Sequence, residues 1–274
     1  MPRTILVLLS EYGYWGEELV GPLFHFDKAG YGVVFATANG GRAHVLPPSV
    51  DPSYVDPPLG RTVTSHEVAD MARVLDESDR LDNPLSLAGW IPERPYTSAP
   101  DYLRSLEEYH RRLEGLDDDI RDYDGILIVG GSGPIVDLAN NERVHALVLA
   151  FLKAGKLIGA ECYGVTCLAF ARDWENRESI IRGKHVTGHC KEYDYKDGTG
   201  FLGTDFIMGP PPYPLEYILR DATAPDGRYH GNFGREDSVI VDWPFVTGRS
   251  NNDSFLTGQK MVEVLEDGVR RWGW

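Results

Sequence analysis

Short runs of consecutive apolar residues recur along the chain, and each is followed by a turn or an amphipathic segment. Residues 5–9, 31–37 and 124–129 form three of these runs. An uninterrupted apolar run of this length is typical of a parallel strand that is covered on both faces. Between the first two runs, apolar residues fall near one helical face and the pattern ends at Lys28-Ala29-Gly30, which predicts a helix. This βαβ opening favours a doubly wound, mostly parallel α/β sheet.

The stretch 156–168 combines a strand, a turn and a helix around one cysteine. Its apolar run ends at Glu161-Cys162-Tyr163-Gly164, and the residues beyond have helix-compatible apolar spacing. A sharp strand-to-helix turn of this kind, a nucleophile elbow, lifts a side chain above the sheet edge and places backbone N–H groups beside it. Those groups favour an anion, so we expect them to lower the pKa of the Cys162 thiol. The alternative is an inert core cysteine, because free cysteines are often buried.

A second turn, Gly130-Gly131-Ser132-Gly133-Pro134, follows the third apolar run. Glycines after a strand let the backbone approach a ligand closely and present N–H groups to it. The turn lacks the dinucleotide fingerprint and the phosphate-loop lysine, so no nucleotide site is predicted. An amphipathic helix pattern at residues 144–152 connects it to the cysteine elbow. We therefore expect both turns at the C-terminal ends of neighbouring strands, where open α/β sheets bind ligands.

Residues 43–120 interrupt this regular alternation of strands and helices. Two Pro-rich stretches, residues 45–60 and 90–100, separate segments with helix-like spacing. Long irregular segments inside compact domains are often lids or binding loops. We interpret this region as an elaboration that caps one side of the sheet within a single domain, residues 1–274.

Composition limits the classes of partner and the compartment. The formal net charge of −15 argues against a nucleic acid or an anionic membrane as partner, because both are bound by clustered Lys and Arg. No apolar stretch approaches the roughly 20 residues that span a bilayer, and the run at residues 5–9 is too short for a signal peptide. The three cysteines form neither a disulfide framework nor a metal-finger spacing. We expect a cytoplasmic protein.

The order of five motifs resembles that of the ThiJ/PfpI superfamily, whose fold is flavodoxin-like and class I glutamine amidotransferase-like. The motifs are Glu18 with Leu19-Val20-Gly21-Pro22, the glycine turn 130–134, the elbow 160–164, residues 183–189, and Thr247-Gly248-Arg249-Ser250. The pattern covers residues 4 to 268, with 43–120 matched only loosely. The sequence is most similar to the branch of heat-shock chaperones and glutathione-independent glyoxalase III. The resemblance implies a homodimer.

The resemblance also implies the roles of individual residues. Cys162 is the expected nucleophile, and Glu18, selected over Glu17 by its spacing to Pro22, is the carboxylic acid beside the thiol. The backbone N–H groups of Gly131 and Tyr163 are expected to form an oxyanion hole, with Ser132 as a further contact in the same turn. No metal and no other cofactor is implied.

A histidine and an acid complete the implied site. His189 occupies the position of an active-site histidine found in part of the family. Asp194, in preference to Glu192, occupies the position of the acid of a triad. Many members have His directly after the nucleophile, where this chain has Tyr163, so the usual triad is incomplete. Tyr163 can donate a hydrogen bond to a substrate oxygen but is not a general base near neutral pH.

These residues predict a cysteine-dependent, cofactor-free enzyme for a small electrophilic carbonyl substrate. With an α-oxoaldehyde, a Cys162 hemithioacetal would form, Glu18 would shuttle a proton through an enediol, and a 2-hydroxy acid would be released. The same pair would serve an isonitrile hydratase-like enzyme or an amidase-type hydrolase. A stress-response chaperone or a redox sensor, in which Cys162 is reversibly oxidised, is the alternative from another class.

Two further sets of residues have weaker predicted roles. Cys167 lies on the apolar face of the helix after the elbow and is predicted to belong to the core. Aromatic residues in irregular segments are candidates for the pocket lining, and the sequence does not select among them: Trp90, Tyr96, Tyr193 and Tyr213.

Overall fold

The computed structural model of the protein describes residues 2–196, 207–208 and 214–274. Its strands are β1 (Thr4–Leu8), β2 (Gly32–Thr37), β3 (Val55–Asp56), β4 (Arg61–Thr62), β5 (Leu85–Ser86), β6 (Gly125–Ile128), β7 (Leu157–Glu161), β8 (His185–Val186), β9 (Tyr195–Lys196), β10 (Ile207–Met208), β11 (Arg228–Tyr229), β12 (Val239–Asp242), β13 (Phe245–Gly248) and β14 (Arg271–Trp272). Its helices are α1 (Gly16–Ala29), α2 (His66–Glu77), α3 (Leu87–Trp90), α4 (Tyr102–Glu114), α5 (Leu116–Asp119), α6 (Pro134–Asp137), α7 (Glu142–Lys153), α8 (Thr166–Phe170), α9 (Leu215–Thr223) and α10 (Ser254–Glu266).

Within those residues, eight strands form one central sheet in the order β14-β12-β13-β7-β6-β1-β2-β5. The pairs from β13 through β5 are all parallel, and β12 and β14 add an antiparallel edge. The predicted mostly parallel sheet is therefore confirmed. The glycine turn and the cysteine elbow follow β6 and β7, which are adjacent parallel strands, as the sequence predicts.

The apolar runs supply both faces of the sheet, since successive side chains of a strand point to opposite sides. Leu6 and Ile126 belong to a core with residues of α7, α8 and α9. Their neighbours Ile5 and Leu127 belong to a second core with residues of α1, α2 and α10. Both cores exclude water, which explains why these strands carry no alternating polar residues. Cys167 lies in the first core, as predicted.

Helices α1 and α10 cross with their backbones in contact. A Cβ at Gly258 of α10 would lie 2.5 Å from the Cα of Pro22 in α1, so only glycine fits this crossing. The close approach places Ser254, the first residue of α10, over the end of β7, where its Oγ donates a hydrogen bond to Glu161 Oε2 at 2.9 Å. The crossing thus sets the position of α1 relative to the cysteine elbow.

The region 43–120 contains the predicted helical segments and several short strands. Strand β5 extends the central sheet beside β2, while β3 and β4 form a separate two-stranded hairpin. Trp90 ends helix α3, so its prediction as part of an irregular segment is wrong. Its ring packs 6.4 Å from that of Tyr123, against the first core.

The motif at residues 183–189 is mostly loop. Only His185–Val186 form a strand, which pairs in parallel with β11. Beyond it the backbone N–H of Thr187 donates to the side-chain Oγ1 of Thr247 at 2.9 Å, so side-chain hydrogen bonds replace the strand ladder. No helix in the described part of the chain combines the length and the apolar character needed to cross a membrane.

We expect Gly258→Ala to lower the free energy of unfolding by about 1–3 kcal/mol, because the added methyl overlaps the backbone of α1. Urea denaturation monitored by circular dichroism measures the change. Gly115→Ala is the matched control, since an added Cβ there meets nothing closer than 3.4 Å, and we expect it to stay within about 0.5 kcal/mol of wild type. Equal stabilities for the two variants would contradict the close crossing.

Candidate active site

The nucleophile elbow is built by a strained backbone at Cys162. This residue follows β7 directly and has a φ of +50°, a left-handed conformation that non-glycine residues rarely adopt. A short 3₁₀ turn, Cys162–Val165, then leads into α8. The geometry directs the thiol toward the glycine turn after β6. The side chain is only 5% exposed.

The glycine turn, the elbow and helix α1 meet at Gly130. A Cβ at this position would overlap Glu18 Oε2 and would lie 2.7 Å from the Cβ of Cys162. The carbonyl oxygen of Gly130 also accepts a hydrogen bond from the backbone N–H of Trp15 at 3.4 Å, just before α1 begins. The absence of a side chain at Gly130 therefore allows the carboxyl of Glu18 to reach the cysteine.

Glu18 lies in the first turn of α1 and is 2% exposed. Burial, which disfavours its charged form, raises the pKa of Glu18 to about 8, although hydrogen bonding with Cys162 opposes this rise. The adjacent Glu17 points elsewhere and accepts a hydrogen bond from Asn251 Nδ2 at 3.0 Å. The structure thus brings Glu18, and not Glu17, to the thiol.

The thiol of Cys162 has a pKa raised well above its ordinary value. Burial is the main cause, and the neighbouring charge of Glu18 adds to it. The backbone N–H groups of Gly131 and Tyr163 hydrogen-bond to the sulfur and act in the opposite direction. The expectation that the turn lowers the thiol pKa is therefore wrong for the resting protein, because desolvation outweighs the amides. The two amides come from the glycine turn and the elbow, and both face the sulfur.

The Cys162 thiol, His189 and Asp194 lie next to one another in that order. His189 Nδ1 lies 3.5 Å from Cys162 Sγ, and His189 Nε2 lies 3.1 Å from Asp194 Oδ1. Tyr163 supports both groups, since its ring stacks on His189 with centroids 4.1 Å apart and its hydroxyl donates to Asp194 Oδ1 at 2.7 Å. Tyr163, expected to contact substrate through its hydroxyl, instead uses that hydroxyl to hold Asp194.

The loop that carries His189 is held by hydrogen bonds to β11 and to the residue after it. Thr187 Oγ1 donates to the carbonyl of His230 at 2.6 Å, and the hydroxyl of Tyr229 donates to the carbonyl of Gly188 at 3.2 Å. These bonds fix the residues immediately before His189. The ring of His189 therefore faces Cys162, although His189 does not belong to a strand. The pairing of His189 with the sulfur therefore depends on contacts far apart in sequence.

A further buried carboxyl, which the sequence argument did not single out, lies directly before the nucleophile. Glu161 is fully buried, and its Oε1 has no hydrogen-bond partner in the described part of the chain. Burial, with a contribution from Glu18, raises its pKa well above the ordinary value. A glutamate at the end of an apolar run was the available signal, because buried carboxyls are rare outside special sites.

The thiol opens into a largely apolar cavity of about 280 Å³. It is lined by Trp15, Glu18, Leu46, Pro48, Asp56, Leu59, Val63, Gly131, Ser132, Cys162, Tyr163, His189, Tyr193, Ser250, Asn251 and Asn252. Six of the seven predicted site residues therefore share one cavity, and Asp194 lies behind His189. Of the candidate aromatic residues, Tyr193 lines the cavity and Trp90 and Tyr96 do not, while Tyr213 lies outside the described residues.

Residues 46–63 contribute a wall of the cavity that sequence patterns did not identify, because this Pro-rich stretch has no periodicity. Trp15 also lines the cavity, and its indole Nε1 is enclosed and makes no hydrogen bond to the described residues. Within the described ranges, no group of three or more His, Cys, Asp or Glu side chains is arranged to hold a metal ion.

Comparison with known proteins places this geometry in a family. A family model described as ThiJ/PfpI family-like matches residues 9–195. The chain belongs to the ThiJ/PfpI-like family. No curated protein matches the sequence significantly.

Several solved structures share the fold of this chain. Rapid Encystment Protein 24 kDa from Francisella tularensis has a TM-score of 0.63 and 21% identity, covering 96% of this chain and 99% of that chain. Glyoxalase III from Candida albicans has a TM-score of 0.60 and 16% identity (95% and 96% covered), and Drosophila melanogaster DJ-1beta has 0.53 and 15% (97% and 91% covered). At these identities the likeness establishes the fold alone, and the predicted flavodoxin-like α/β fold is confirmed.

We expect the alkylation rate of Cys162 to reach half its maximum above the ordinary thiol pKa of about 8.5, and Glu18→Gln to lower this midpoint by removing a negative charge beside the thiolate. Iodoacetamide labelling at graded pH, followed by mass spectrometry, measures the midpoint. Glu17→Gln removes an equal charge one residue away and should shift it less. The buried Cys167 and Cys190 serve as internal references. A midpoint that Glu18→Gln leaves unchanged would rule out the coupling.

Proposed function

We propose that this protein is a cofactor-independent, glyoxalase III-like enzyme that converts an α-oxoaldehyde into a 2-hydroxy acid. One observation carries the proposal: a buried thiol and a buried carboxyl, with a pKa of about 8 for the latter, share a site beside two backbone N–H groups. A nucleophile and a proton shuttle acting on adjacent carbons need this arrangement.

Addition of the thiol to the aldehyde is the first step. The sulfur of Cys162 bonds to the aldehyde carbon, and the thiol proton passes to His189 Nδ1, 3.5 Å from the sulfur. The N–H groups of Gly131 and Tyr163 stabilise the oxyanion that forms, and His189 then returns the proton to it. The product is a neutral hemithioacetal. Because the sulfur is then bonded to carbon, the site no longer has to hold a thiolate, which its high thiol pKa disfavours.

Glu18 carries the second step. Its ionised form removes the proton from the carbon that bears sulfur, and the resulting enediol is reprotonated on the adjacent carbon. The hydroxyl proton of the first carbon passes to the oxygen of the second, which leaves a thioester of a 2-hydroxy acid. One carbon is oxidised and its neighbour reduced by the same two electrons, so the rearrangement balances without another reactant.

Hydrolysis of the thioester completes the cycle. His189, held between Tyr163 and Asp194, takes a proton from the attacking water. The bond between the Cys162 sulfur and the acyl carbon breaks, and the sulfur regains a proton. The 2-hydroxy acid loses its carboxyl proton to solvent and leaves as an anion, and its departure is favoured by the neighbouring carboxyl groups.

A second candidate, an amidase-type hydrolase, is favoured by the line of Cys162, His189 and Asp194, which is also the order of groups in cysteine hydrolases. Such a hydrolase uses the same acyl-enzyme and the same histidine but has no enediol step. Glu18 is then dispensable for proton transfer between carbons, and this difference separates the two candidates.

Incubation of the protein with methylglyoxal or phenylglyoxal, without glutathione, tests the proposal through the appearance of lactate or mandelate in proton NMR spectra. We expect Cys162→Ser to abolish product, and Glu18→Gln to reduce kcat by about 10²–10⁴-fold, the usual contribution of a general acid–base group. Glu17→Gln should retain most activity. Turnover of simple amides that survives Glu18→Gln, with no oxoaldehyde consumed, would favour the hydrolase.

The pH dependence should report the ionisation of Glu18. Because burial raises the pKa of Glu18 to about 8, its basic form is scarce at pH 6 and predominates above pH 8. We therefore expect kcat/KM for an oxoaldehyde to rise about tenfold per pH unit below pH 8 and then to level off. Glu17→Gln should keep the rise. A flat profile between pH 6 and pH 8 would exclude Glu18 as the base.

Tyr163→Phe tests the support of the histidine. The variant keeps the ring that stacks on His189 and loses the hydrogen bond to Asp194. Since such a bond contributes about 1 kcal/mol, we expect kcat/KM to fall about fivefold, with the alkylation midpoint of Cys162 little changed. Tyr193→Phe, whose ring also contacts His189, is the matched control. Unchanged kcat/KM in Tyr163→Phe would show that Asp194 is held by other contacts.

A further inference from the structure

One side of the cavity is formed by apolar side chains of the region inserted before β6. We call Leu46, Pro48, Leu59 and Val63 the apolar wall. None of its members takes part in the chemistry described above. Methylglyoxal offers a single methyl group to such a surface, so the wall is larger than that substrate needs.

The wall begins beside the oxyanion hole. Leu46 Cδ1 lies 3.1 Å from the position that a Cβ on Gly131 would occupy. A carbonyl oxygen bound at the N–H groups of Gly131 and Tyr163 therefore places the rest of its molecule next to Leu46. The substituent of the substrate meets the apolar wall before it meets solvent.

Hydrogen bonds hold the wall in place without a ligand. The backbone N–H of Leu46 donates to the carbonyl of Tyr14 at 2.8 Å, and Asn251 Nδ2 donates to the carbonyl of Val63 at 3.0 Å. Between them, the N–H of Gly60 donates to the carbonyl of Asp56 at 2.7 Å and closes the hairpin that carries Leu59. A preformed surface loses little conformational entropy when a ligand binds to it.

The charges around the cavity favour uncharged substituents. Among the described residues that line it there is no Lys or Arg, whereas Glu18 and Asp56 are carboxylic acids. An anionic group carried on the substrate would find no cation here and would lose its hydration. The cavity therefore selects against a carboxylate on the substrate.

We propose that the electrophilic substrate carries an uncharged aryl or branched alkyl substituent that packs on the apolar wall. The proposal rests on the function given above for the reactive end of the substrate and adds the class of its other end. Each buried methylene favours binding by about fourfold, so an aryl oxoaldehyde should exceed methylglyoxal in kcat/KM by at least about tenfold once intrinsic reactivity is normalised.

Alkylation of Cys162 by matched probes tests the proposal without requiring turnover. The probes are iodoacetate, iodoacetamide and N-benzyliodoacetamide, and each rate is divided by the rate of the same probe with N-acetylcysteine at equal thiolate concentration. We expect the normalised rates to increase in that order, with the benzyl probe about tenfold faster than iodoacetamide. Peptide mass spectrometry assigns the modified residue.

Two substitutions of similar shape then locate the effect on the wall. Leu59→Asn and Val63→Thr replace apolar by polar surface, and each should reduce the benzyl preference about threefold or more. Val55→Thr is the matched control, because Val55 lies on the same hairpin, is 51% exposed and does not line the cavity. It should leave the preference unchanged.

The outcomes separate the two proposals. Equal normalised rates for the benzyl and unsubstituted probes in the wild type, or a preference that both wall variants retain, would overturn the inference about the substituent. A preference that depends on the wall, together with no consumption of any oxoaldehyde, would support the apolar specificity and reject the glyoxalase III-like reaction.

Discussion

The Glu18 carboxyl and the Cys162 thiol share a site that excludes water, and the surrounding chain is arranged around this constraint. Their side chains are 2% and 5% exposed, so negative charge on both groups at once is strongly disfavoured. At least one proton therefore stays with the pair near neutral pH. The bare backbone at Gly130 permits the approach, and the crossing of α1 and α10 fixes the helix that carries the carboxyl.

The groups around the Glu18 carboxyl and the Cys162 thiol differ in their electrostatic effect on this pair. Amides from two turns favour negative charge on the sulfur, and His189 Nδ1 lies 3.5 Å from it. Tyr163 connects the two functions, because its backbone N–H faces the sulfur and its side chain positions His189 and Asp194. The ring and the hydroxyl of Tyr163 thus contact the two residues that lie beyond the thiol.

Local patterns were enough to predict the sheet, the two turns and the cysteine at the elbow, whereas Glu18, His189 and Asp194 were assigned from the family resemblance. The apolar runs specify strands, and glycines that follow them specify turns at one edge of the sheet. The same patterns did not predict the direction of the Cys162 pKa, which is decided by burial among distant segments. They also missed Leu59 and Val63, because tertiary hydrogen bonds, and not periodicity, place an irregular chain. Nor did they predict the hydrogen bond from the Tyr163 hydroxyl to Asp194, because the loop that carries Asp194 is held by contacts distant in sequence.

The bonds that hold the apolar wall use main-chain atoms of the wall. Leu46 is held through its amide and Val63 through its carbonyl, so neither side chain is needed for its own placement. Substitutions at these side chains can therefore accumulate in evolution while the shape of the apolar wall and the surroundings of the thiol are preserved. Related chains with this backbone would then diverge in the molecules they accept more readily than in the reaction they perform.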